Sequence, residues 1–326
     1  MNELYPLKFK PIIKELIWGG TKLNTVLGKK TDSDKSGESW ELSGVQKNIS
    51  VVANGFLKGN NIQELTEIYM GELVGDKVFE KFGIEFPLLI KFIDANDKLS
   101  IQVHPNDEVA LDRHNAYGKT EMWYVLENEE GAELICGFNR DVTQEEYVEH
   151  LNNNTLNEIL NSEKVQSGDC FFIPAGRIHA IGNGILLAEI QQTSDVTYRV
   201  FDYNRKDAHG KSRELHTELA LDVIDYKAYP QYKTNYTEAL NEPVELIDCN
   251  YFTTNLIKFD KPVERDYFLL DSFVLYIVTE GKFDIFYAEG ESISAQKGET
   301  ILIPAALKNI KLKPQQASKL LEVHIR

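Results

Sequence analysis

Two short stretches carry side chains whose types and spacing suit metal-assisted chemistry. In Leu99-Ser-Ile-Gln-Val-His104 the two-residue period of a strand puts Leu99, Ile101 and Val103 on one face and Ser100, Gln102 and His104 on the other. A polar face on a buried barrel strand has to satisfy something. Beyond the loop opened by Pro105-Asn-Asp107, the strand starting Lys119-Thr-Glu121 sets Lys119 and Glu121 on a common face. Imidazole and carboxylate are good ligands for zinc, and spacing alone leaves manganese and iron open. Taken singly, each residue also has an ordinary reading: His104, before a proline, as a turn histidine, and Glu121 as a surface carboxylate.

The run Gly168-x5-Pro174-x-Gly176-x2-His179-x3-Asn183 resembles, without a gap, the second signature of the cupin superfamily. The resemblance implies that His179 is a metal ligand whose fellow ligands lie upstream on neighbouring strands. Gln102, His104, Glu121 and His179 then form a set of two imidazoles, one carboxylate and one amide. A site of that kind with room for water follows the catalytic rather than the structural pattern. His114, His150, His209, His216 and His324 have no comparable spacing and read as ordinary.

The elements that must position these residues are mostly short strands separated by Gly, Asn, Asp and Pro. Ser167-Gly-Asp-Cys-Phe-Phe-Ile-Pro-Ala175 is echoed 130 residues later by Lys297-Gly-Glu-Thr-Ile-Leu-Ile-Pro-Ala305, and Tyr124-Val-Leu-Glu127 more loosely by Tyr276-Ile-Val-Thr279. The expected fold is therefore mainly β, with two cupin-like (jelly-roll) β-barrels and a few helical insertions in the first. Residues 1–230 are expected to form the metal-binding catalytic domain and 231–326 a second, metal-free one. In the second copy His179 becomes Asn309, and no histidine lies between residues 217 and 323. Helices are expected within 62–75 behind Asn60-Asn61, from Thr143 with a capping box, through Leu156 to Leu160, and over 217–225. The polar stretch from Tyr229 to Glu242 is the candidate linker.

The 326 residues carry a net charge of −16, which argues against nucleic-acid binding. Charged residues break every apolar run near the N-terminus before it reaches signal or membrane-spanning length. Three scattered cysteines without a CxxC suit a reducing compartment, so a cytoplasmic protein is expected. An anionic substrate would need a locally basic pocket inside this acidic field.

Gly37-Glu-Ser-Trp-Glu-Leu-Ser43, the His104 and Glu121 blocks, the His179 motif and Ser194-Asp-Val-Thr-Tyr-Arg199 together resemble type I mannose-6-phosphate isomerases in their short bacterial form. The matching blocks span roughly residues 18 to 205. The resemblance implies one zinc per chain held by Gln102, His104, Glu121 and His179, a catalytic Arg199, and interconversion of mannose 6-phosphate with fructose 6-phosphate. It also supports Ser100 as a phosphate contact. Longer members carry Arg-x-Gly-x-Thr-Pro-Lys where this chain has Arg199-Val-Phe-Asp-Tyr-Asn-Arg205, so their lysine appears here as Arg205. A guanidinium can still grip phosphate with two parallel hydrogen bonds.

Aldose–ketose exchange through an enediol develops negative charge on two adjacent oxygens, which a metal and a neighbouring cation stabilise. Arg199 is the candidate cation; being a poor base, it leaves the proton to a zinc-bound water or a carboxylate such as Glu41. Ser100, Lys119 and Arg205 are the phosphate candidates, with Lys91 a weaker one whose ordinary reading places it outside the barrel. Trp18, Trp40 and Trp123 are either pocket walls or core. Two rival readings fit the same residues: a sugar-phosphate-binding cupin without turnover, and a non-haem iron oxygenase using His104, Glu121 and His179.

Overall fold

A computed structural model describes residues 3–206 and 210–325, and its paired strands form four antiparallel sheets, two to each barrel. In the first barrel a six-stranded sheet runs Ile12–Gly20, Ser36–Leu42, Leu88–Ala95, Ile185–Gln192, Glu121–Asn128, Cys170–Ile173. It faces a five-stranded sheet in the order Tyr198–Phe201, Ile101–Val103, His179–Ala180, Glu133–Phe138, Leu160–Lys164. The second barrel sets Leu7–Lys8, Thr300–Ile303, Val274–Glu280, Ser318–His324, Thr253–Phe259, Pro243–Asp248 against Val263–Asp266, Asn309–Pro314, Lys282–Ala288, Glu291–Gln296. Leu7 and Lys8, at the start of the chain, thus pair with Leu302 and Ile301 near its end.

Burial explains why some strands lack alternation. The two six-stranded sheets meet through Ile90, Tyr124 and Ala188 on one side and Leu275, Leu302 and Leu321 on the other. Their opposite faces line the barrel interiors, around Ile93, Trp123 and Phe171 in the first and Ile257, Phe283 and Leu312 in the second. Leu88–Ala95 and Ile185–Gln192 are buried at every position, so they read as continuous apolar runs. Lys91 and Glu189 are the charged residues that interrupt those runs inside the first barrel.

The internal repeat holds where its backbone reason is clearest. Gly168 and Gly298 have φ of 93° and 84°, the left-handed turn that feeds strands Cys170–Ile173 and Thr300–Ile303. The looser echo is one residue out of step. Cys170 pairs with Tyr124, but Thr300 pairs with Ile277, so the counterpart of Tyr124 is Ile277 and that of Glu121 is Val274. A shift of one residue reverses the face, and Tyr276 accordingly points into its barrel while Tyr124 packs between the two.

Helices differ from expectation in detail. The 62–75 segment breaks at Met70, φ 44°, into Ile62–Tyr69 and Gly71–Val74. The capping box is at Asn61 and Glu64; at Thr143 only the Glu146 amide is capped, because the Glu146 carboxylate is taken by Arg140. The segment expected over 217–225 is helical only at Thr217–Ala220. Asp107–His114, capped by Asn106, stands where a loop was expected. The stretch after Tyr229 is packed down, with Tyr232 and Tyr236 bonded to the carbonyls of Phe138 and Gly168.

Corrected register exposes a second correspondence. Glu189 lies opposite Lys91 and Trp123, and Glu322 opposite Asn255 and Tyr276, so each barrel buries one carboxylate at an equivalent interior position. Glu322 is fully satisfied: Arg265 donates from Nε and Nη2 at 2.8 and 2.9 Å, Asn255 donates at 3.0 Å, and Tyr267 donates to it as well. Arg265→Ala should therefore cost about 3 kcal/mol in urea unfolding, since it strands a buried carboxylate. Asn309 is exposed, and Asn309→Ala should leave metal content unchanged by elemental analysis.

Candidate metal centre

Strand ends bring the expected ligands together. Gln102 pairs with His179 across adjacent strands and with Arg199 on its other side, while Glu121 opens the facing sheet opposite Gln191. Ligand atoms of His104, Glu121 and His179 all lie within 4.8 Å of one another. His104 Nε2 is 3.6 Å from Glu121 Oε2, and His179 Nε2 is 3.4 Å from Oε1. The Gln102 amide approaches His179 Nε2 at 3.2 Å. As drawn its NH2 faces the ring, and a half-turn of the amide presents the oxygen instead.

Hydrogen bonds outside the group orient both imidazoles. His104 Nδ1 donates to the Val196 carbonyl at 3.0 Å and His179 Nδ1 to that of Arg177 at 2.8 Å, so each Nε2 offers its lone pair inward. His104 Nε2 and both Glu121 oxygens are buried without a hydrogen-bond partner. Leaving a carboxylate and an imidazole so deeply buried and unmatched is costly. A divalent cation among these atoms removes the cost, so the donor set fits a metal.

Electrostatics agree. Burial holds His104 well below the usual imidazole range and His179 at about 4, which keeps both neutral as ligands must be. Burial, reinforced by Glu189, pushes Glu121 up to about 8. Lys119 Nζ stands 3.7 Å from Glu121 Oε2, and burial together with Lys91 lowers its pKa. Lys91 lies inside the barrel, not outside it: Glu189 accepts from Lys91 at 2.9 Å and from Trp123 Nε1 at 2.9 Å. The Trp123 ring in turn packs edge-on to His179, 5.3 Å between centroids. Sequence reasoning missed Glu189, although its signal was there: a lone acid inside the apolar run Ile185–Ile190.

A second charged group gathers at the far end of the Tyr198–Phe201 strand. Arg199 Nε donates to Ser100 Oγ at 3.2 Å and Nη1 to the Glu214 carbonyl at 2.9 Å. Arg205 and Arg213 both bond Asp202, and Arg205 Nη1 also reaches the Lys98 carbonyl at 2.5 Å. Ser100, Arg199 and Arg205 thus belong together, whereas Lys119 sits with the metal ligands. Glu41 is in neither group: it is buried at the seam between the barrels, bonded to Lys29 at 2.6 Å and to Ser39 at 2.5 Å. Trp18 and Trp123 are core, and Trp40 donates to Glu38 at 2.6 Å beneath the Lys14 and Lys91 ammoniums. His114 contacts Tyr198, His150 contacts Thr155, and His216 accepts from the Arg199 amide; His209 lies outside the described residues.

Comparison with known proteins bears directly on this arrangement. Residues 6–141 match the family described as phosphomannose isomerase type I, catalytic domain. The chain is 40% identical over 320 residues to mannose-6-phosphate isomerase ManA of Bacillus subtilis, covering 94% of this chain and 96% of that protein. It is 35% identical to a mannose-6-phosphate isomerase of Streptococcus mutans, over 93% of this chain and 94% of the relative. The crystal structure of the mannose 6-phosphate isomerase from Bacillus subtilis superimposes with a TM-score of 0.89 at 32% identity, covering 99% of this chain and 100% of that one. With that similarity running through both barrels, the chain belongs to the type I mannose-6-phosphate isomerases, a metal-dependent family.

Proposed function

We propose that this chain interconverts mannose 6-phosphate and fructose 6-phosphate through an enediol, with zinc as its metal. The observation that carries the reading is the buried trio His104, Glu121 and His179, with both Nε2 atoms turned inward and His104 Nε2 and both Glu121 oxygens without a hydrogen-bond partner, next to an arginine group on the adjoining strand. Gln102, His104, Glu121 and His179 would hold the ion. When bound, it supplies Lewis-acid stabilisation of charge developing on the sugar oxygens.

The protein's own residues divide the remaining work. Arg199, fixed by Ser100 and the Glu214 carbonyl, presents a permanent positive charge beside Gln102 where negative charge builds up. Lys119, its pKa lowered by burial, stands at the reacting end and can surrender and retake a proton; Glu41, committed to Lys29, is excluded from that part. Ser100 contacts the phosphate, and Arg205, held by Asp202 and the Lys98 carbonyl, adds positive charge beside it. Residues 1–230 would form the catalytic unit, apart from Leu7–Lys8, which pair into the second barrel, and 231–326 the metal-free one. The Cys136 and Cys170 thiols are free and buried, as suits a cytoplasmic protein, and no described helix is long and apolar enough to cross a membrane.

A coupled assay should show fructose 6-phosphate formed from mannose 6-phosphate, without oxygen, abolished by a chelator and restored by zinc. No turnover in zinc-loaded protein would overturn the proposal. His104→Ala and His179→Ala should lose metal and activity together. Arg199→Ala should lower kcat on the order of 100- to 1,000-fold with far less effect on KM.

Metal affinity should also depend on pH with a definite sign. Both imidazoles lose their protons early, His179 at about 4 and His104 well below the usual imidazole range, but Glu121 carries its proton up to about 8 and must release it to ligate. Chelator competition should therefore show zinc binding tightening as pH rises toward about 8 and flattening above it.

A further inference from the structure

The chain carries a net charge of −16, yet the end of the Tyr198–Phe201 strand gathers three guanidiniums, from Arg199, Arg205 and Arg213. Such an excess of cation beside a catalytic barrel marks an anion site. How their donors are spent separates the three. Arg205 gives Nε and Nη2 to Asp202 and Nη1 to the Lys98 carbonyl, with Asp97 a further 3.6 Å away, so each of its nitrogens is engaged. Arg213 gives Nε and Nη2 to the two oxygens of Asp202 at 2.8 and 2.5 Å and leaves Nη1 without a bond among the described residues. Arg199 bonds only neutral oxygens there, those of Ser100 and Glu214.

We infer that Arg213 is a phosphate-binding residue of the sugar-phosphate site, with Asp202 the positioning residue that aims its guanidinium toward Arg199 and Ser100. The inference rests on the isomerase reading and extends it to a residue outside the matching motifs. Two observations support it. The bidentate fork onto Asp202 fixes the plane of Arg213 and directs its remaining edge away from the carboxylate. Arg199 Nη1 donates to the carbonyl of Glu214, the residue after Arg213, and after burial Arg213 is the strongest influence lowering the Arg199 pKa, so the two guanidiniums sit close together with Asp202 only partly offsetting their repulsion. A phosphate on Arg213 and Ser100 puts negative charge beside Arg199 and relieves that repulsion.

The test uses full-length, zinc-loaded protein and reads phosphate binding apart from turnover. Calorimetric titration with inorganic phosphate should give a dissociation constant about 10- to 100-fold weaker for Arg213→Gln than for the parent, as expected for one lost charge-assisted bond. In steady-state assays the same variant should raise KM for mannose 6-phosphate by a similar factor and leave kcat within about threefold. Arg213→Lys, which keeps the charge but not the fork, should recover part of the loss, and Asp202→Asn should weaken phosphate binding without abolishing it. Zinc content and unfolding midpoint, measured alongside, identify any variant that has lost its fold; if Arg213→Gln has, Arg213→Lys and Asp202→Asn carry the test. Unchanged phosphate affinity in a folded Arg213→Gln protein, or a loss confined to kcat, would overturn the inference. Absence of isomerase activity in the parent would instead overturn the proposed function, leaving the phosphate titration to decide on Arg213.

Discussion

Glu121 is the constraint around which the first barrel is arranged. Its carboxylate is fully buried, accepts no hydrogen bond and stands within 4 Å of two imidazole nitrogens and an ammonium. An anion in that position needs positive charge, and the barrel provides it in graded form. The imidazoles are held neutral by burial, Lys119 gives a compromised charge, and Lys91 is already neutralised by Glu189. What is missing from the balance is a cation at the centre of the ligand atoms, which is why the site reads as a metal centre rather than as a salt-bridge network. Bonds from Nδ1 of His104 and His179 to backbone carbonyls fix the neutral tautomer with Nε2 bare, and burial opposes a second proton there.

The second barrel shows how the same scaffold settles when that requirement is removed. Val274 stands in place of Glu121 and exposed Asn309 in place of His179, so the ligand positions are lost. The interior carboxylate survives as Glu322 but is saturated by Arg265, Asn255 and Tyr267. Glu189 has the same position and two of the same kinds of partner, a cross-strand donor and an aromatic one. Its neighbour Glu121 is what turns a satisfied buried ion pair into an unsatisfied group that binds.

Much of this was legible in the sequence, and the reasons differ by residue. The two-residue period placed Gln102 and His104 on one face, and the glycine turn at 168 and 298 has a backbone requirement that composition cannot disguise. Glu189 was hidden because a strand buried on both faces has no alternation to reveal which side its single acid occupies. The looser repeat misled by one residue, since Tyr124 and Tyr276 look equivalent as letters but face opposite sides of their sheets. Thr143 and Asn61 both carry capping sequences, and only the tertiary neighbour Arg140 decides that the reciprocal box forms at Asn61. Arg213 was out of reach for a similar reason: its partner Asp202 lies eleven positions away in sequence, a separation that no periodicity describes.

The separation of lysine from arginine in the site follows from what each group can do. Arginine stays charged in any protein environment and offers a planar fork, so it suits the end of a substrate that must be held without changing protonation. Arg205 and Arg213, ordered by Asp202, are proposed for that end, and Arg199, held by Ser100, stands between them and the metal ligands. Lysine responds to burial, and Lys119 and Lys91 lie at the other end, where one has its pKa lowered and the other has it raised by Glu189 and Glu38 against the effect of burial. Two lysines in one interior thus acquire opposite tendencies: Glu189 and Glu38 outweigh burial at Lys91, while burial and the Lys91 charge prevail at Lys119. A sugar phosphate held between the groups would meet fixed charge at its phosphate and adjustable charge at its carbonyl, the polarity that proton transfer between adjacent carbons requires.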